Sequence, residues 1–159
     1  MESINGFTGE YFFLHNDFNI SVIHEGIRYT NAESAYQATK CANILDRFKF
    51  ARMSGRKAKK HIKKVSLLPD YESKRYERML EVVRLKFDQH PYLVDKLLET
   101  GERELINHSF VDSFWGIDSF TGVGENNLGK ILMRLREEFS NKRQGLEPVQ
   151  VVFKSKQGI

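Results

Sequence analysis

Between Tyr76 and Phe87 the apolar side chains Tyr76, Met79, Leu80, Val83 and Phe87 stand at offsets of three, four, seven and eleven residues. An α-helix, with its period of about 3.6, brings all five to one face; a strand, with a period of two, scatters them. The spacing predicts a helix from Glu72 to about Gln89. Pro91 suits the first turn of the next helix, which buries Leu93, Val94, Leu97 and Leu98 and stops at Gly101. A last helix starts at Asn126 or Asn127 and carries the stripe Leu128, Ile131, Leu132, Leu135 and Phe139. Upstream, Thr30-Asn31-Ala32-Glu33 opens a helix supported by Ala35, Tyr36, Ala38 and Ala42. Ser54 or Gly55 opens a basic one that reaches about Val65. Leu67-Leu68-Pro69-Asp70 breaks the series, because proline lacks the N–H that a helix uses.

The first thirty residues read differently. Ile20 to His24 and Ile27 to Thr30 flank Glu25-Gly26, which predicts a tight hairpin, since glycine accepts positive φ. The aromatics Tyr11, Phe12, Phe13 and Phe18 before it are expected in the core. After Phe139, Ser140 to Glu147 reads as a linker, and Val149, Val151 and Phe153 alternate as a short strand would, expected beside the hairpin. The expected architecture is mainly α: a compact helical domain, residues 1–140, with a small N-terminal β-hairpin, then a C-terminal tail, 141–159. At 159 residues one domain is the expectation.

No apolar run approaches the roughly 20 residues that span a bilayer, so no membrane partner is expected. Met1 to Gly9 shows no basic and apolar leader. Cys41 is the only cysteine, which rules out an internal disulfide and favours a reducing, cytoplasmic setting. His61, His90 and His108 are scattered, with no metal-ligand spacing, so no metal and no cofactor are expected. The net charge of +4 is local: nine of the 25 Lys and Arg fall between Arg47 and Lys64, where there is no Asp or Glu. Such a run is either a solvated helix face or a seat for an anionic ligand or a DNA or RNA strand. Few aromatics interleave it, which is weak support for base stacking.

Two constellations carry chemistry. Glu33, Gln37 and Lys40 stand at i, i+4 and i+7, on one helical face. A carboxylate, an amide and an amine there suit proton transfer, hydrogen bonding and nucleophilic attack. The competing reading is a capping box formed by Thr30 and Glu33, with Lys40 an ordinary solvated lysine. The second constellation is Asp112-Ser-Phe-Trp115-Gly116, followed by Gly122, Gly124 and Glu125-Asn126-Asn127-Leu128-Gly129-Lys130. Glycines ahead of a strong helix start make an anion site from free N–H groups and the dipole. Trp115 offers a flat face to a base or sugar, and Asp112 a carboxylate to a ribose hydroxyl or a leaving base. The bland alternative is a glycine-rich loop with a core tryptophan. The segment is neither a Walker loop nor a dinucleotide fingerprint.

Taken in chain order these segments resemble the NADAR superfamily of YbiA-like proteins. Gly9-Glu-Tyr-Phe-Phe-Leu14 with Asn16 is similar to the family's opening, and Glu33-Ser-Ala-Tyr-Gln37-Ala-Thr-Lys40 to its Glu-His-x-x-Gln-Ala-x-Lys block. Ala58-Lys59-Lys60, then Met79 with Lys86-Phe87, then Thr100-Gly101 with Leu105 follow in the family's order. Asp112, Trp115-Gly116, Gly124 and Asn127-Leu128-Gly129-Lys130, with Arg136 beyond, resemble its closing signature. The resemblance covers about residues 7 to 139.

What it implies is an N-glycosidase that cleaves a ribosyl C–N bond. The implied substrates are ADP-ribose on a guanine base, free or in nucleic acid, or an early phosphorylated riboflavin-pathway intermediate. It implies Glu33 as general acid or base, or as stabiliser of the ribosyl cation. It implies Lys40 or Lys86 as a covalent participant and Asp112 as an orienting group. Asn16, Gln37, Trp115, Gly116, Gly124, Asn127, Gly129, Lys130 and Arg136 would hold the substrate. The chain departs from the pattern at His15 and Asp17, at Pro69-Asp70-Tyr71, at Asn107 in place of a common Glu, and over Ile117 to Val123. These departures flank the expected pocket and leave two other readings open: a non-catalytic ADP-ribose or nucleotide sensor, and a nucleic-acid module built on residues 47–64.

Overall fold

The computed structural model describes residues 1–146, so the expected strand at Val149, Val151 and Phe153 lies outside the described residues. The fold is helical with two small two-stranded sheets. β1 (Ile4–Asn5) lies far in sequence from its parallel partner, while β2 (Val22–His24) and β3 (Ile27–Tyr29) form the expected antiparallel hairpin. Glu25 and Gly26 turn it with φ of 48° and 80°, the paired positive values that match strand twist in a two-residue turn.

α1 (Ala32–Ala38) is buried along its whole length. It ends four residues short of Ala42, and Cys41 instead forms a bridge with Leu67. The cap is Asn31, whose Oδ1 accepts the Ser34 N–H at 2.8 Å. That corrects the capping-box reading: Thr30 donates its hydroxyl to the Met53 carbonyl instead, and Glu33 is left free of the helix end.

Two helices of the basic stretch follow. α2 (Ile44–Arg47), which has no periodic signal, is short, and α3 (Gly55–His61) runs on into a 3-10 turn at Ile62–Lys64, close to the expected end at Val65. α4 (Arg75–Asp88) starts three residues later than expected, and α5 (Pro91–Glu99) has the expected proline in its first turn. β4 (Leu105–Ile106) is the parallel partner of β1. α6 (Asn127–Arg143), the last helix among the described residues, runs four residues past Phe139 into the expected linker and packs against α4, α5 and β4. α1 sits at the centre, packed by α3, α4 and the hairpin.

Lys86 shares the buried stripe of α4 with Met79 and Val83, and it is 0% exposed. Its ammonium donates to the carbonyls of Phe13, at 2.6 Å, and His15, at 3.0 Å. These carbonyls close the 3-10 segment Gly9–Leu14, where a helix runs out of internal donors. Burial pushes the Lys86 amine down to about 7, with the nearby Asp17 charge opposing.

The sign of the resulting pH dependence follows. Between about pH 7 and 10.5 the unfolded chain holds a proton at Lys86 that the folded protein sheds, so stability rises with pH across that window. Below it both states are protonated and the slope vanishes. Urea unfolding of wild type and Lys86→Met at about pH 7 and pH 9.5 is expected to show the wild type gaining on the variant by up to about 1.4 kcal/mol per pH unit. An unchanged difference would mean that the buried amine keeps its proton.

Candidate active site

A cleft of about 350 Å³ opens beside α1. One wall is α1, with Glu33, Tyr36 and Gln37, continued by Lys40 just past its end; a second is the turn carrying His15 and Asn16. Lys59 and Lys63 come from α3 and its 3-10 extension, and the 107–115 loop completes the ring.

Because the cap is Asn31, Glu33 is the second residue of the helix and its side chain faces the cleft. Both carboxylate oxygens are engaged. Oε1 accepts the Gln37 amide at 2.8 Å, and Oε2 accepts the Asn16 amide at 3.4 Å. The Asn16 carbonyl also accepts the Glu33 N–H at 3.1 Å. With their nitrogens spent on Glu33, the two amides leave Asn16 Oδ1 and Gln37 Oε1 buried without a partner among the described residues. An orphaned buried acceptor costs about 1–3 kcal/mol, so both oxygens are primed for donors such as sugar hydroxyls. Burial raises the Glu33 carboxyl above its usual range, against the opposing pull of Lys59 and the two amides.

Lys40 lies one turn beyond Gln37 on the same wall. Its Nζ is 4.8 Å from the centre of the Tyr36 ring and 5.9 Å from that of Tyr71. No carboxylate pairs with it among the described residues. Burial lowers its pKa, with Glu33 and Asp112 opposing and Arg75 and Lys59 assisting. The two candidate lysines therefore separate: Lys40 lines the cleft, while Lys86 does not and spends its amine on main-chain carbonyls.

Asp112 stands on the rim. Its Oδ1 accepts the N–H groups of Phe114, at 2.9 Å, and Trp115, at 3.1 Å, which folds the loop into a turn. Trp115 lines the cleft with its ring edge-on to Tyr36, at 5.6 Å, and to Phe114, at 4.7 Å. It is a wall as much as a stacking surface. Arg75 lies 3.5 Å over the Phe114 ring and fastens this loop to α4.

The start of α6 is not the open anion site expected of it. The N–H groups of Asn127 and Leu128 donate to the carbonyls of Phe114, at 3.1 Å, and Trp115, at 3.2 Å. Asn126, at φ 54°, bridges the Leu105 carbonyl and the Asn107 N–H through its side chain. Protein carbonyls occupy the positions an anion would take. The Asn127 side chain also serves Phe114 O. Gly116 and Gly124 pack back to back, and Gly129 packs on Leu105 O. Lys130 is exposed, and Arg136 ties Thr100 and Arg103 O at the end of α5. Of the expected binding residues, Asn16, Gln37 and Trp115 line the cleft; Gly116, Gly124, Asn127, Gly129, Lys130 and Arg136 do not.

Sequence reasoning missed His15, Lys59, Lys63, His108 and Ser109 as cleft residues. Lys59 and Lys63 share a helical face at i and i+4, but Arg56, Lys60 and Lys64 have the same spacing, so nothing in the basic run singles the pair out. His15 and the 107–109 strand exit had no signal either, because only tertiary folding brings them to α1. Asn107 lines the cleft with its amide spent on the Trp115 carbonyl.

Gly129 provides a test of the closed helix start. A Cβ there would lie 2.1 Å from Leu105 O, which is backbone and cannot swing aside. Gly129→Ala is expected to lose about 3 kcal/mol of unfolding free energy in urea, the upper range for overpacking. A loss below about 0.5 kcal/mol would mean that α6 does not seat on β4 this closely.

Comparison with known proteins follows the same outline. The profile of the NADAR domain matches residues 5–140. The chain is 36% identical over 134 residues to a riboflavin biosynthesis protein of Vibrio vulnificus, spanning 79% of this chain but 35% of that longer protein. It is 32% identical over 124 residues to the N-glycosidase YbiA of Escherichia coli strain K12, spanning 73% of this chain and 74% of that one. The NMR structure of E. coli YbiA superposes with a TM-score of 0.79 at 27% identity, covering 94% of this chain and 93% of that one.

Proposed function

The chain belongs to the NADAR family, and from that premise we propose that its cleft is the active site of an N-glycosidase that hydrolyses the ribosyl C–N bond of a phosphorylated ribosyl compound. The observation that carries the reading is the Glu33 carboxylate, buried between the Asn16 and Gln37 amides in the cleft that Lys40 also lines. Several relatives are named as N-glycosidases, which supports the bond class.

The chemistry follows from these groups. Glu33, raised by burial, carries a proton near neutral pH more readily than an exposed carboxyl, and as a carboxylate it stabilises a ribosyl cation in a low-dielectric setting. Burial lowers the Lys40 amine, a shift toward the neutral form that a nucleophile needs. As the C1′–N bond breaks, its electron pair stays with the base nitrogen, which takes the proton carried by Glu33 and leaves the carboxylate beside the cation. The Lys40 lone pair adds to C1′, and opening of the ring gives an imine at C1′ with the proton on O4′. Water then adds to the imine, releasing the free sugar aldehyde and restoring the amine. Asn16 Oδ1 and Gln37 Oε1 accept ribose hydroxyls, and Lys59 and Lys63 hold phosphate.

Two substrates fit: ADP-ribose on a guanine base, and an early riboflavin-pathway intermediate. One observation favours a substrate attached to nucleic acid. Apart from Arg47 and Lys49, no cation of the 47–64 run pairs with a carboxylate among the described residues, and Arg52, Arg56, Lys57, Lys60 and Lys64 stay exposed outside the cleft. A free nucleotide needs Lys59 and Lys63; a strand makes use of the rest. The sensor reading keeps Asn107 as its motive and expects binding without base release.

A panel of ADP-ribosylated guanosine, the same base within an oligonucleotide, and riboflavin-pathway intermediates, read by mass spectrometry for released base, separates these readings. Binding of the panel with no release in any member would favour the sensor. With the substrate that turns over, Glu33→Gln is expected to fold normally and lose about 10²–10⁴ in kcat. Borohydride added during turnover is expected to trap the sugar on Lys40, with no adduct in Lys40→Met. Wild-type base release by Glu33→Gln would remove the carboxylate from the mechanism, and an adduct on Lys86 would reverse the assignment of the amine.

A further inference from the structure

Lys86 is the largest buried investment that the proposed chemistry leaves unused. A charged amine is costly to take out of water, and an apolar side chain would fill its place on the α4 stripe at lower cost. What an apolar side chain cannot do is hold the carbonyls of Phe13 and His15. Those two groups flank Leu14, which is itself 0% exposed, and the chain passes from them directly into His15 and Asn16, the cleft residues of that turn. Asn16 then meets Glu33 twice, through its backbone carbonyl and its side-chain amide.

Met79 engages the same turn from a second point on α4. Its sulfur lies 3.3 Å from Asn16 Nδ2, and Met79 is seven residues before Lys86 on one buried stripe. α4 thus grips the 13–16 turn at both ends, by an ammonium on the backbone and by a thioether on the amide. His15 is fixed further by its own neighbour, since its Nδ1 accepts the Asp17 N–H at 2.9 Å.

We propose that Lys86 is a positioning residue of the active site: by holding the Phe13 and His15 carbonyls it sets the turn that presents Asn16 to the Glu33 carboxylate and His15 to the cleft. This rests on the reading of Glu33 as the catalytic carboxylate. Lys86 touches neither substrate nor reacting atoms, and it acts through Asn16 and His15.

The test compares Lys86→Met, which keeps the stem and removes every donor, with Lys86→Gln, which keeps two N–H donors without the charge. Far-UV circular dichroism first establishes folding. The Asn16 side-chain amide signals and the His15 ring titration are then followed by NMR without substrate, and base release is measured with the substrate identified above. In Lys86→Met the Asn16 amide signals are expected to move, and the His15 midpoint to rise because a neighbouring positive charge is gone. kcat is expected to fall about 100-fold, the scale of an ångström of misplacement. Lys86→Gln should recover part of that loss, which a simple volume effect would not produce. A folded Lys86→Met with wild-type kcat and unmoved Asn16 signals overturns the proposal. If Lys86→Met does not fold, Lys86→Gln decides: displaced Asn16 signals together with a reduced kcat support the positioning role, and a reduced kcat with the Asn16 signals unmoved overturns it. If neither folds, Lys86 is a determinant of the fold alone and the proposal is again overturned. Should the wild type release no base from any substrate, the N-glycosidase reading fails by itself, while the NMR signals still decide the positioning.

Discussion

The rest of the structure depends on the complete burial of α1. A helix of seven residues has no independent stability in water, because nucleation costs more than so few hydrogen bonds return. It forms here because α3, α4 and the hairpin cover it and because its start is anchored. Thr30 Oγ1, Asn31 Nδ2 and Ser34 Oγ all donate to the single carbonyl of Met53, at 3.1, 2.9 and 2.7 Å. Once the helix is enclosed, Ser34 is taken by Met53 and the remaining polar side chains of this wall turn to the cleft. Glu33, Gln37 and Lys40 face the cleft because every other direction is filled.

That enclosure also sets the electrostatics. Burial pushes the Glu33 carboxyl up and the Lys40 amine down, so both move toward their neutral forms. Groups shifted in these directions are better suited to act as an acid and a nucleophile than two exposed side chains seven residues apart. Tyr36, between them on the helix, is shifted upward by the same burial and by Glu33, and stays a neutral phenol beside the amine. The two orphaned amide oxygens complete a site that is polar, confined and unsatisfied until something donates to it.

The glycine-rich segment shows how a local signal can be correct in kind and wrong in use. Glycines, an aspartate and a helix start do occur together from Asp112 to Lys130. The structure spends them on closing the loop: Asp112 folds the turn, Gly124 and Gly116 allow two backbones to touch, and the carbonyls of Phe114 and Trp115 take the first N–H groups of α6. The positive charge for an anionic ligand comes from α3 instead. Of the long basic run, the tertiary fold selects Lys59 and Lys63 for the cleft and leaves most of the other cations in solvent.

The sequence by itself determined the elements with strong local periodicity or turn chemistry: the hairpin at Glu25-Gly26, the helices α4, α5 and α6, and the alignment of Glu33, Gln37 and Lys40. Each of these is decided by neighbours within about one or two turns, where side-chain spacing acts directly. Only the tertiary structure decided that Glu33 is free of its helix end, that Lys40 and not Lys86 lines the cleft, and that His108 and Ser109 join them. The pairing of β1 with β4 is of the same kind, two strands of two residues each, a hundred residues apart. The physical reason is common to all of these. Burial and long-range hydrogen bonds depend on which distant segments cover a residue, and no spacing along the chain encodes that.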